Sequence, residues 1–245
     1  MLPLNGPPVR AILLDIEGTT TRVDFVYRTL LPHARKRMRE FLSRHWEDPA
    51  VRADIEALRR QQKLDPGFQP PWLDDSREAQ LASALDYAIW LMDRDRKSTP
   101  LKSLQGKIWQ VGYRSGELRG EVFPDVPRAF ARWSRQGKAI CIFSSGSVLA
   151  QQLLFATTTS GDLTSFIQSY FDTAVGAKTE AESYKRIAAS ISSPAPEILF
   201  VSDVTLELDA ARLAGMETAL CVRPEGSETT ASIHPMIHTF DEIFP

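Results

Sequence analysis

The chain has 245 residues, 43% of them apolar and 24% charged, with a formal net charge of −2. That is enough chain for a full hydrophobic core, as one large domain or one domain plus an insertion, with the composition of an ordinary globular protein. The near-neutral balance argues against nucleic acid or a membrane surface as partner, and no apolar run approaches the length of a spanning helix.

The first ten residues are rich in proline and lack an apolar stretch, so no leader is expected and the cytoplasm is the expected location. Next comes Arg10-Ala11-Ile12-Leu13-Leu14-Asp15-Ile16-Glu17-Gly18-Thr19-Thr20. Its apolar run has no helical spacing and stops at a turn signal, which predicts a buried strand over 10–15. The character changes after Thr21, and residues 25–119 read as helical. Helices are expected over 30–46, 49–63, 76–95 and 101–114, with Pro49 suited to a first helical position. Asp65-Pro66-Gly67 and Gln69-Pro70-Pro71 are loop signals. Trp46, Trp72, Trp90 and Trp109 all fall in this stretch and read as core fillers of a small bundle.

From Val122 onward strands and helices alternate. Strands are expected over 138–143, 171–175, 197–201 and 218–222. Helices are expected over 147–155, 180–191 and 207–214, the last ended by Gly215 and the second started by Thr179 and Glu182 in capping-box spacing. Such alternation predicts a parallel sheet with helices on both faces. The simplest architecture is an α/β core, 1–24 with 120–245, interrupted after its first strand by an all-helical insertion, 25–119. Cys141 and Cys221 both lie in strand-like segments and read as reduced core thiols. The insertion carries a net charge of +5 against −7 for the rest, a polarity suited to an anionic ligand but also to ordinary solvated helix faces.

The chemistry-bearing residues fall at the carboxyl ends of the expected strands, where open α/β sheets bind ligands. Asp15 ends the first strand, and a carboxylate there can serve as nucleophile or metal ligand. Glu17, two residues on, can act as acid or base. Ser144-Ser145-Gly146-Ser147 follows the second strand, and hydroxyls and N–H groups at a helix start can cradle an anion or simply cap the helix. Gly176-Ala177-Lys178-Thr179 follows the third strand and places a cation nearby, in the site or in solvent. Ser202-Asp203 follows the fourth, where Asp203 could join Asp15 around Mg²⁺ through hard oxygen donors. As a set these parts describe phosphoryl transfer. Asp15 attacks phosphorus, Ser144, Ser145 and Lys178 hold the phosphoryl oxygens, and Glu17 handles the leaving-group and water protons.

The order Asp-x-Glu-Gly-Thr, Ser-Ser-Gly-Ser, Gly-x-Lys and Ser-Asp resembles the haloacid dehalogenase superfamily of phosphotransferases. It is similar, more closely, to the enolase-phosphatases of methionine salvage, because Glu17 stands where most superfamily phosphatases have aspartate. The likeness extends to Leu104-Gln105-Gly106-Lys107-Ile108-Trp109, Gly112-Tyr113, Gly116-Glu117-Leu118, Ser144 to Val148, Lys178-Thr179-Glu180, Glu207 to Ala211 and Val222-Arg223-Pro224. It departs at Glu225-Gly226, where the family usually has Gly-Asn. The resemblance implies a Rossmann-like core with a helical cap and one Mg²⁺ per subunit, held by Asp15, Asp203 and the Glu17 carbonyl. It makes Asp15 and Glu17 catalytic and makes Ser144, Ser145 and Lys178 phosphate contacts. The implied reaction is enolisation and dephosphorylation of 2,3-diketo-5-methylthiopentyl-1-phosphate to 1,2-dihydroxy-3-keto-5-methylthiopentene, with Glu17 the first candidate for the enolising base. A monomer is expected, since no long heptad pattern occurs.

Three other readings are weighed. A sugar-phosphate or phosphoglycolate phosphatase of the same superfamily would not call for Glu17 or the Gln105–Tyr113 pattern. A dehalogenase needs no leaving-group acid and no metal. A non-catalytic scaffold would have lost Asp15, Lys178 or Asp203, all of which are present.

Overall fold

The structure, a computed structural model, describes residues 6–67, 69–224 and 232–245. The chain divides into two compact units, Met1–Val26 with Arg119–Pro245, and Tyr27–Leu118.

The first unit is built on a six-stranded sheet: β1 (Ala11–Leu14), β2 (Ala139–Phe143), β3 (Ile167–Phe171), β4 (Ile198–Ser202), β5 (Glu217–Cys221) and β6 (Met236–Ile237). The strand order is β3-β2-β1-β4-β5-β6 and every pair is parallel. β1 lies in the middle and is buried along its whole length, which explains its uninterrupted apolar run. Alternate residues serve opposite faces. Ala11, Leu13, Cys141, Phe143, Ile198 and Phe200 pack with Tyr184, Ile187, Leu208 and Ala211 in one core. Those partners come from the helices Ala181–Ser190 and Thr205–Leu213. Helices Asp125–Arg135 and Val148–Ala156 pack on β2 and β3.

The second unit consists of four main helices. A short helix α1 (Val23–Phe25), which belongs to the first unit, and a π-helical turn (Val26–Leu30) precede them; in chain order they are α2 (Leu31–Arg44), α3 (Pro49–Leu64), α4 (Arg77–Asp93) and α5 (Thr99–Ser115). The helices of the first unit continue the series as α6 (Asp125–Arg135), α7 (Val148–Ala156), α8 (Ala181–Ser190) and α9 (Thr205–Leu213). Asp48, Ser76 and Ser98 cap α3, α4 and α5 by accepting from Ala50 N, Ala79 N and Leu101 N, each such cap stabilising by about 1 kcal/mol. Met38, Leu42, Leu58, Tyr87, Leu91 and Leu104 form the bundle core. Trp46 is buried in it, while Trp72, Trp90 and Trp109 pack against it from its edge.

The elements differ from expectation in four places. The third strand ends at Phe171 instead of starting there, because Asp172 Oδ1 accepts from Ala174 N at 2.9 Å and turns the chain. The Thr179–Glu182 capping box does not form: α8 starts at Ala181, and Glu180 caps it with no side-chain bond. A turn over 177–180 takes the place of that cap, with Glu180 N donating to Ala177 O at 3.1 Å. Helix α6 is absent from the expected elements, although Val126, Ala129, Phe130 and Trp133 are buried at helical spacing. The two-residue β6 is too short to carry a periodic signal. The Glu225-Gly226 departure lies outside the described residues.

Candidate functional site

The site forms where the chain changes direction across the sheet. From β1 the chain crosses to β2 and β3 on one side, then to β4 and β5 on the other. A crevice opens at such a switch point, beyond the carboxyl ends of the strands. Leu14 is in register with Ile142 and Val201, so the residues that follow these strands emerge at one level. Asp15 N still donates to Val201 O at 3.0 Å, which fixes its backbone before the chain turns.

The loop after β1 is held by its own backbone. Thr20 N and Thr21 N donate to Ile16 O at 3.0 and 2.9 Å, and Gly18 N donates to Thr21 O at 2.8 Å. Gly18 has φ of 81°, and a Cβ there would overlap the Asp203 carboxylate. Glycine is therefore required twice, for the left-handed turn and for the close approach of Asp203. Thr19 Oγ1 donates to Asp15 Oδ2 at 3.3 Å.

Three further loops complete the arrangement. Ser144 follows β2, is 1% exposed and donates to Glu17 Oε2 at 3.5 Å. Its own Oγ accepts from Gly146 N at 3.1 Å, and Gln151 ties the loop by donating to Gly146 O and Phe171 O, both at 2.8 Å. Lys178 is positioned by α8: Ser183 Oγ donates to Ala177 O and Tyr184 OH to Lys178 O, both at 2.7 Å. Its Nζ pairs with Asp15 Oδ1, and with Glu207 Oε2 at 2.6 Å. Glu207, in the first turn of α9, also accepts from Ser202 Oγ at 3.0 Å.

Two carboxylates, Asp15 and Glu207, thus hold one ammonium, and the charges of Glu17 and Asp203 act on the same site. Burial, and next the charge of Asp15, push Glu17 above the usual carboxylate range. The same two causes raise Asp203 to about 7 and raise Glu207. Burial alone would lower Lys178, but Asp15 and Glu207 outweigh it and its pKa rises. The excess of negative charge favours a cation, and a hard divalent ion suits oxygen donors. Asp203 Oδ1 is buried with no hydrogen-bond partner, an orphan atom that such an ion would satisfy. Asp15, Asp203 and the Glu17 carbonyl therefore fit Mg²⁺ by donor chemistry. Among the described residues no three His, Cys, Asp or Glu side chains cluster into a ready-made metal site, and this donor set, with only two side chains, needs no such cluster.

Of the residues singled out in the sequence, the structure links Asp15, Glu17, Ser144 and Lys178 by hydrogen bonds and ion pairs and sets Asp203 against Gly18. Ser145 is exposed, and among the described residues no hydrogen bond joins it to the other five. From the sequence alone Glu207 has no assigned role. The signal available was its place four residues after Asp203, one turn into a helix that starts at the sheet's carboxyl end. Cys141 and Cys221 are buried and form no disulfide.

Comparison with known proteins places the chain in a family. A family model described as haloacid dehalogenase-like hydrolase matches residues 9–215. The chain is 48% identical over 236 residues to Enolase-phosphatase E1 of Synechococcus elongatus, covering 96% of this chain and 98% of that one. It is 46% identical over 238 residues to Enolase-phosphatase E1 of Sorangium cellulosum, covering 97% and 98%. Among solved structures, the UTR4 protein of Saccharomyces cerevisiae matches with a TM-score of 0.76 at 32% identity, over 96% of this chain and 100% of that one. This chain therefore belongs to the haloacid dehalogenase-like hydrolases and, within them, to the enolase-phosphatase E1 family.

Proposed function

We propose that the protein is a Mg²⁺-dependent enolase-phosphatase of methionine salvage. It converts 2,3-diketo-5-methylthiopentyl-1-phosphate to 1,2-dihydroxy-3-keto-5-methylthiopentene and phosphate. The observation that carries the reading is the pairing of a buried carboxylate, Asp15, with Lys178, beside a second carboxyl, Glu17, whose pKa burial and the charge of Asp15 raise. A nucleophile and a proton donor two residues apart suit the opening of a phosphate ester.

The steps are assigned to the chain's own residues. Glu17 takes a proton from substrate carbon during enolisation and returns it to oxygen. Glu17, again a carboxylate, takes up a proton from solvent and gives it to the ester oxygen as Asp15 attacks phosphorus and the P–O ester bond breaks, leaving an aspartyl-phosphate and a Glu17 carboxylate. Water, relieved of a proton by the Glu17 carboxylate, hydrolyses that acyl phosphate and frees Asp15. Lys178, Ser144 and Ser145 hold the phosphoryl oxygens as charge builds on them. Mg²⁺, held by Asp15, Asp203 and the Glu17 carbonyl, would offset carboxylate charge against the phosphate and polarise a substrate oxygen. One chain carries every residue named, so the activity is proposed for a monomer.

Two further observations bear on this reading. The basic excess of residues 25–119 over the acidic remainder suits an anionic substrate. Among the described residues no helix is long and apolar enough to cross a membrane. The decisive experiment is NMR of the diketone phosphate incubated with enzyme and Mg²⁺. The enol phosphate should appear first, then inorganic phosphate and the acireductone. Release of phosphate from simple esters, with no turnover of the diketone, would leave a phosphatase of different substrate range.

A further inference from the structure

Arg223 follows β5 and has a 5% exposed side chain, a rare environment for a guanidinium. Its contacts join three distant parts of the first unit. Nε and Nη2 donate to Thr19 O at 3.0 and 2.7 Å. Nη1 donates to Asp125 Oδ2 at 2.8 Å and to His238 O at 3.3 Å. The guanidinium also lies over the rings of Phe123, at 4.2 Å, and Phe240, at 4.7 Å. Asp125 is itself held by Phe240 N at 2.6 Å and Thr239 Oγ1 at 3.1 Å.

The target of the paired donation is informative. Thr19 is the residue whose hydroxyl donates to Asp15 Oδ2, and Thr20 O accepts from Phe123 N at 3.0 Å. The Asp15 loop is therefore tied from outside at two successive carbonyls, once by Arg223 and once by a residue that Arg223 stacks on. Burying a guanidinium and a carboxylate costs desolvation that an apolar pair of similar volume would avoid. A planar fork with fixed N–H directions can hold one carbonyl by two donors while pairing a carboxylate by a third.

Resting on the phosphoryl-transfer reading above, we propose that Arg223 is a positioning residue for the nucleophile, holding Asp15 in its attacking orientation through Thr19. Arg223 touches no substrate in this role. Its loss should lower kcat and leave KM nearly unchanged.

The test uses Arg223→Lys, which keeps a cation beside Asp125 but lacks the fork. Steady-state hydrolysis of p-nitrophenyl phosphate at saturating Mg²⁺ is normalised to the folded fraction from tryptophan fluorescence. Misplacing a reacting group by a fraction of an ångström predicts that kcat falls about 10- to 100-fold with KM within about twofold of wild type. A wild-type kcat per folded molecule, with only a lowered Tm, would overturn the proposal and leave Arg223 a packing residue. A raised KM at unchanged kcat would overturn it as well. If Arg223→Lys does not fold, Asp125→Asn carries the test, because it keeps the guanidinium but loosens its anchor. A kcat loss of the same sign supports the proposal and an unchanged kcat overturns it. Wild-type protein inactive on both the aryl phosphate and the diketone phosphate would overturn the functional reading and this inference together. Activity on the aryl phosphate alone would remove only the assigned substrate and leave the Arg223 comparison in force.

Discussion

Glu207 Oε2 lies 2.6 Å from Lys178 Nζ, and the same oxygen accepts from Ser202 Oγ at 3.0 Å. The ammonium therefore has a second carboxylate anchor besides Asp15, from a helix that begins beyond the neighbouring strand. Two anchors fix a flexible side chain that would otherwise sample many rotamers. That geometry leads to the first prediction.

Lys178→Ala should lower kcat by about 10²–10³, or roughly 2–4 kcal/mol of transition-state stabilisation, as for other lost electrostatic donors. Glu207→Gln should lower kcat in the same direction by less, because Lys178 keeps its charge and its bond to Asp15. Steady-state kinetics on the aryl phosphate and the diketone phosphate check both. A Lys178→Ala enzyme within twofold of wild type would remove this lysine from the groups that hold the phosphoryl oxygens.

Asp15→Asn should abolish phosphate release and retain slow enolisation. An amide is a poor nucleophile toward phosphorus, while Glu17 remains to move a proton. Incubation of the variant with the diketone phosphate in D₂O should give deuterium at C1 and accumulation of enol phosphate. Loss of exchange in a folded variant that still binds Mg²⁺ would transfer the role of enolising base to Asp15.

Asp203→Asn should weaken Mg²⁺ binding and activity together, because the substitution removes a formal charge from a hard-cation donor set. Titration calorimetry with Mg²⁺ alone measures the first effect without turnover. Equal Mg²⁺ affinity in wild type and variant would remove Asp203 from the ligand set.

The two thiols predict how stability depends on alkaline pH. Burial pushes Cys141 up to about 11 and Cys221 up to about 12, from an ordinary value of 9.0. The folded state therefore holds its thiol protons at a pH where the unfolded state loses them. Stability from this source is fully present below pH 9.0 and declines as pH rises toward 11 and 12. The slope is about 1.4 kcal/mol per thiol for each pH unit within that window. Urea unfolding at several pH values, compared with a Cys141→Ala, Cys221→Ala double variant, isolates it. The stability gap between the two proteins should narrow above pH 9.0, and a constant gap would rule the thiols out.

What was legible in the sequence was local in origin. The run Ala11–Leu14 is uninterruptedly apolar because a central parallel strand is covered on both faces, and Asp15 follows it directly. The glycine turn and the serines before α7 stand at strand ends that periodicity alone could locate, whereas Lys178 lies well beyond the end of β3 at Phe171. Tertiary structure decided which of these ends adjoin. Lys178 and Asp15 are 163 residues apart, and Arg223 and Thr19 are 204 apart; no periodic pattern encodes such partners. Their pairing follows from the strand order, which sets β2 and β4 on either side of β1, with β3 and β5 next beyond them. The raised pKa values of Glu17 and Asp203 have the same origin, since burial and a neighbouring carboxylate exist only once the sheet has assembled. The third strand and the cap of α8 differ from expectation for a related reason. Asp172 and Ser183 spend their hydrogen bonds on loop backbone, and the choice among the partners open to such side chains is made by packing rather than by sequence spacing.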